Sequence, residues 1–115
     1  MTHDAKIGGS QAAMRLVAQT TFYNRGEPER LIQFIADAYA PDLLDQQPPI
    51  QKAAAFAQMR QVVGRVKVQK WLALDKHEVI ARMESETGVR FVVELKCADE
   101  YPHKITAYMQ HPASG

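Results

Sequence analysis

The sequence predicts an α+β domain in which three N-terminal helices pack on the concave face of a curved antiparallel sheet, in the order α-α-β-α-β-β-β-β. Three observations carry this expectation. Apolar residues recur at helical spacing up to Gly64 and alternate with period two from Arg65 onward. Proline opens and glycine closes the helical segments. The links "DKH" and "SETG" between the later segments are short and turn-like, so those segments pair as hairpins.

Each element follows from its residues. Positions 1–9 are polar, end in Gly8-Gly9 and are expected to form a loose tail. Ser10 is placed to cap a first helix whose stripe is Ala13, Leu16, Val17, Thr20 and Tyr23, ended by Gly26 in a left-handed conformation. A second helix begins at Pro28, with Glu27 and Glu29 at the positive end of its dipole. Leu31, Ile35, Ala38 and Tyr39 form its stripe, and Pro41 stops it. The stretch "YAPDLLDQQPPI" is predicted as a short extended piece leading to a third helix, from Pro49 to Gly64.

Four strands are then expected. "RVKVQKWLALD" places Val66, Val68, Leu72 and Leu74 on one face. "HEVIARMES" does so with Val79, Ala81 and Met83, and "GVRFVVELKCA" with Val89, Phe91, Val93, Leu95 and Cys97. "KITAYMQH" contributes Ile105, Ala107 and Met109. One apolar face per strand is the pattern of an antiparallel sheet covered on one side only. The domain is expected to span 10–111, with a C-terminal tail at 112–115.

Composition narrows the function. A chain of 115 residues is one domain by length and can bury roughly 65% of its unfolded surface. A formal charge of +1 gives no broad field for nucleic acid or anionic lipid. The single cysteine, Cys97, precludes an internal disulfide and fits a reducing, cytoplasmic compartment. No run of about 20 apolar residues suits a membrane span, and the N-terminus lacks the apolar core of a secretion signal.

The phrases "FYNRGEPERLIQFI", "YAPDLLDQQPP" and "PHKITAYMQ" resemble the nuclear transport factor 2-like (cystatin-like cone) superfamily, which includes the ketosteroid isomerase-like and polyketide cyclase-like proteins. They are similar to its aromatic–turn–second-helix pattern, to the strand before its third helix and to its last strand. The resemblance spans Ser10 to His111 and implies the cone fold, not one activity, because such folds host many. In isomerase-like members a base carboxylate ends the short strand. Matching Tyr39-Ala40 to the family's aromatic-alanine pair puts Gln47 there, and an amide is no base in the working range. A two-residue shift would bring Asp45 to that position. The inward positions Phe91, Val93, Leu95 and Cys97 offer no carboxylate, so no catalytic residue is assigned.

The remaining motifs have ordinary readings. Asp42 and Asp45 suit turn aspartates bonded to nearby backbone, the alternative being a pocket role for Asp45. Cys97 lies on an apolar strand face, as an inert buried thiol does. Of His3, His77, His103 and His111, none shows metal-ligand spacing, and His103 and His111 would lie about 26 Å apart along one strand. "IGGS" lacks the strand and lysine of a phosphate loop. Arg60, Arg65, Lys67 and Lys70 suit cross-strand pairing with Glu78, Glu84 and Glu94 better than nucleic acid. No metal and no cofactor is expected.

Two surfaces are predicted. An apolar pocket between sheet and helices is expected from Tyr23, Tyr39, Asp45, Phe56, Met59, Met83, Phe91 and Met109, the alternative being plain core packing. On the outward sheet face, Trp71, Ile80, Val92 and Tyr108 form an apolar group that a monomer has little reason to expose. Members of the resembled family often dimerise there, so a homodimer centred near Trp71 is expected. The leading functional expectation is a non-catalytic module that binds a small apolar ligand, with no nucleic-acid or membrane partner. The alternatives are an isomerase, dehydratase or cyclase using Asp45 as general base, and an accessory domain of a larger hydrolase.

Overall fold

The computed structural model describes residues 8–113. The tails expected at 1–9 and 112–115 fall mostly outside those residues, and the last strand runs through Pro112. Among the described residues there are four helices, α1 (Gln11–Arg25), α2 (Pro28–Ala38), α3 (Pro41–Gln46) and α4 (Pro49–Val63), followed by β1 (Val66–Leu74), β2 (Glu78–Ser85), β3 (Arg90–Cys97) and β4 (Ile105–Pro112). The strands form one antiparallel sheet in sequence order, curved and not closed into a barrel. The α+β class and the helices-then-sheet order stand as the periodicity predicts.

The helix boundaries follow their capping chemistry. The Ser10 hydroxyl accepts from the Ala13 amide at 3.0 Å and donates to the Asp75 carbonyl at 2.6 Å. The Gln11 amide donates to the Lys76 carbonyl at 2.7 Å, so the start of α1 is tied to the β1–β2 turn. Gly26 ends α1 at φ +66°, and a β-carbon there would lie 3.0 Å from the Arg60 guanidinium. The buried side of α1 is Ala12, Ala13, Leu16, Gln19 and Tyr23; Val17, expected inward, is exposed. The stripe of α2 is buried as expected through Leu31, Ile35, Ala38 and Tyr39.

The extended piece before the last helix is shorter than predicted. Only Tyr39 pairs with the sheet, by a parallel bridge to Ile105 beside the Ala40 amide's hydrogen bond to the Ile105 carbonyl. Pro41 then opens a short helix instead of stopping structure, because a proline at a first helical position costs no hydrogen bond.

The sheet departs from strict alternation where residues bulge, and each bulge reverses the face of the residues after it. In β1, Val68 pairs with Met83 but Lys70 with Arg82, and Trp71 pairs with Ala81 but Ala73 with Ile80. Gln69 and Leu72 are the extra residues. Trp71 therefore shares the inward side with Val66, Val68 and Leu74, and packs against the core. Leu72, expected inward, is exposed. In β4, Cys97 pairs with Ile105 but Lys96 with Ala107, leaving Thr106 as the extra residue. From there Tyr108 stands opposite buried Leu95, and Met109 opposite Glu94 on the outer side. Both placements correct the expectation: Trp71 and Tyr108 belong to the interior face, and Met109 to the exterior. Val89, expected to open the inward row of β3, precedes the strand and is exposed.

Inside, α1 crosses the sheet while α2 and α4 pack on each other and on α1. The core joins Leu16, Ile35 and Tyr39 from the helices to Val79, Met83, Val93, Leu95 and Ile105 from the strands. The buried Cys97 thiol sits in that row; burial pushes its pKa up, against a smaller pull from Arg15. A raised pKa keeps it in the inert thiol form.

Candidate functional site

The interior of the cone holds a small apolar cavity with a polar rim. Leu16, Phe56, Met83, Phe91 and Val93 form its apolar walls. Gln19, Tyr23, Tyr108 and Gln110 bring polar atoms to it. Its volume is about 20 Å³, enough for about one water. The fold thus closes the inner space almost completely, and a larger occupant needs a side chain to move.

An open cleft of about 400 Å³ lies directly outside, lined by Gln47, Lys52, Ala55 and the same Phe56, Met59, Tyr108 and Gln110 that border the cavity. The partition is therefore made of side chains from α4 and β4. Met59 has the freedom to act as its movable member, since an unbranched thioether adapts to its surroundings. It meets Gln110, whose Nε2 lies 3.8 Å from its sulfur.

Lys52 dominates the cleft chemically. Its ammonium lies 5.0 Å from the Tyr39 ring centre, 5.2 Å from that of Tyr108 and 5.6 Å from that of Phe56. The three rings come from the end of α2, from β4 and from α4. The spacing of Lys52 to Phe56 is i, i+4, one helical turn, so their side chains meet on one face of α4. Among the described residues, the Lys52 ammonium forms no ion pair and no hydrogen bond; only its backbone amide donates, to the Pro48 carbonyl at 3.0 Å. Burial alone pushes its pKa down, while the π-faces favour the charged form.

Beneath the lysine is a phenol–amide network, buried at Tyr39 and Gln19 and open to solvent at Gln110. Tyr39 donates its hydroxyl hydrogen bond to Gln19 Oε1. Gln110 Nε2 donates to the Tyr108 hydroxyl at 2.9 Å. Burial raises the Tyr39 pKa well above the usual value, with Tyr108 adding to the rise. Burial pushes Tyr108 up to about 12, partly offset by its hydrogen bonds to Gln110 and Gln19. Both phenols are thus held protonated and able to donate. On the far side, the Tyr23 hydroxyl donates to the Gly64 carbonyl at 2.8 Å, and its pKa is also raised by burial.

The structure brings together Tyr23, Phe56, Met59, Met83 and Phe91 around the cavity, with Tyr39 buried at its edge under Lys52. It does not bring Asp45 or Met109 there. Asp45 lies exposed on α3 and lines neither the cavity nor the cleft. Met109 is turned out by the bulge at Thr106. Gln47, which the resemblance sets at the base position, does reach the cleft, as an amide. Sequence reasoning missed Lys52, Gln19 and Gln110. The i, i+4 pair Lys52–Phe56 was the available signal, but its meaning depends on Tyr39 and Tyr108 arriving from elsewhere in the chain.

Among the described residues, no cluster of three or more His, Cys, Asp or Glu is placed to hold a metal ion. His77 and His103 stack with ring centres 5.4 Å apart, and His77 Nδ1 lies 3.1 Å from Asp99. These contacts hold the β1–β2 turn against the β3–β4 loop. No described helix is long and apolar enough to cross a membrane. No family profile matches the chain, and searches of curated proteins and of solved structures found no match.

Proposed function

We propose that this chain is a small-molecule-binding module of the nuclear transport factor 2-like kind, taking an apolar ligand at the mouth of its cone without transforming it. The single observation that carries the reading is the shared wall. Phe56, Met59, Tyr108 and Gln110 border both the open cleft and the inner cavity. A ligand that displaces Met59 would gain a continuous apolar path into the core. Such a ligand gains about 25 cal/mol for each Å² of apolar area removed from water.

The non-catalytic reading is favoured over the Asp45 alternative by position. The polar groups lining the cleft are one phenol, two amides and one ammonium, and Asp45 is exposed and not among them. The test is a titration with 1-octanol followed by backbone amide shifts in two-dimensional NMR. Shifts confined to 52–59 and 108–110 support the reading; shifts scattered over the surface, or none at all, defeat it.

A second reading concerns self-association. Ile80 and Val92 stay on the outward sheet face, and Met109 joins them in place of Trp71 and Tyr108. Val92 on β3 lies diagonal to both Ile80 on β2 and Met109 on β4, while Glu94 stands between those two in one row. The charges around these residues are of both signs: Lys96 pairs with Glu78 and Arg90 with Glu84, His111 meets Glu94, and Arg82 donates to Gln69. A second copy related by a two-fold axis meets no single-sign field there. Sedimentation analysis tests it: Ile80→Asp should convert a dimer to a monomer, and a native chain that sediments as a monomer at high micromolar concentration refutes it.

A further inference from the structure

We infer that the ligand class of this site is an amphipathic anion, a carboxylate on an unbranched apolar chain, whose head is held by Lys52. The inference rests on the reading that the cleft is a binding site, and it adds the chemistry of the head group.

The three aromatic rings attract the Lys52 ammonium but give its three N–H donors no conventional acceptor. Among the described residues, no carboxylate or carbonyl supplies one. Of the residues lining the cleft, Lys52 alone carries charge. A partly desolvated cation without a counter-ion is costly, and an anion entering the cleft removes that cost.

The surroundings select what the anion is attached to. Gln47 stands on the rim with an amide donor able to complete the solvation of a carboxylate, and Gln110, which donates to the Tyr108 hydroxyl and to the Met59 sulfur, gains a free N–H when Met59 moves aside. Behind the ammonium, the surface turns apolar through Ala55, Phe56 and Met59 toward the cavity. A head group at Lys52 therefore directs a chain past Met59 inward. The buried phenols give the same polarity: held protonated, Tyr39 and Tyr108 add no negative charge to repel the head at neutral pH.

The test compares octanoate with 1-octanol, two probes of equal chain length, by calorimetry on the native chain and on Lys52→Met. Octanoate should bind about tenfold tighter or more, the usual effect of a charge-assisted hydrogen-bonded pair. Lys52→Met should abolish the difference between the two probes. Equal affinity of the two probes for the native chain overturns the inference and leaves the binding-module reading intact; binding of neither overturns both. A preference for octanoate that survives in Lys52→Met removes Lys52 from the role. Should Lys52→Met fail to fold by circular dichroism, salt dependence on the native chain decides. Octanoate affinity must then fall as sodium chloride rises while octanol affinity does not, and a flat octanoate response refutes the inference.

Discussion

Tyr108 on β4 stands directly opposite Leu95 on β3, on the buried side of the sheet. One unpaired residue, Thr106, produces that pairing, and with it the aromatic wall around Lys52. Without the bulge, Ala107 would face Leu95, Met109 would face Val93, and Tyr108 would stand opposite Glu94 on the outer side.

The first prediction comes from that register. Tyr108→Ala should destabilise the fold by about 3 kcal/mol, as large aromatic-to-alanine changes in packed sites do. Met109→Lys should change stability by less than about 0.5 kcal/mol. Urea denaturation of the two variants checks this, and the reverse ranking would place Met109 in the core.

A second pair of variants probes β1. Trp71 pairs with Ala81 and packs on the core, whereas its neighbour Leu72 is exposed. Trp71→Lys should cost about 2 kcal/mol or more, because it brings a charge to an apolar wall. Leu72→Lys should be nearly neutral. The emission of Trp71, the single tryptophan, should be blue-shifted and should move to the red on unfolding.

Alkaline pH should unfold the protein, for a reason that can be localised. Tyr108 titrates at about 12 in the folded chain against an ordinary value near 10, and Tyr39 is raised as well. Between those values the unfolded chain has lost protons that the folded chain still holds, so stability present below about pH 10 is lost as pH rises toward 12. Each such proton contributes a slope of about 1.4 kcal/mol per pH unit. Lys52 acts oppositely: its lowered pKa means that raising pH toward its unfolded value relieves a cost of burial. Tyr108→Phe should flatten the decline in denaturation free energy measured from pH 10 to 12.

Asp45 gives a prediction of no effect. It is exposed and lines neither the cavity nor the cleft. Asp45→Asn should leave stability within about 0.5 kcal/mol and leave octanol affinity unchanged. A loss of binding would show that α3 folds over the cleft when a ligand is present.

Ser10 reports on the helix–sheet junction. Its hydroxyl serves both the α1 terminus and the Asp75 carbonyl, so Ser10→Ala should cost about 1–2 kcal/mol. Ser10→Thr should recover part of that loss in thermal unfolding.

Three of the four helices were legible in the sequence because their signals are local; α3, read as an extended piece, was not. Ser10, Gly26, Pro28, Pro49 and Gly64 act within a turn of their own positions. The inward rows of β2 and β3 were legible for a similar reason: Val79, Ala81, Met83, Phe91, Val93 and Leu95 keep an unbroken register. In β1 and β4 the alternation reads just as clearly along the chain, yet the bulges at Gln69, Leu72 and Thr106 change which side each later residue faces. A bulge is fixed by the partner strand and by what the curved sheet must cover, and neither is written in the strand that carries it. The site shows the same division. The sequence by itself determined an α+β chain with a one-sided sheet and a roof of capped helices. Only the tertiary structure decided that Tyr39, Lys52, Phe56 and Tyr108 would meet. Three-dimensional packing assembles that contact from α2, α4 and β4, and no local periodicity encodes a meeting between residues so far apart in the chain.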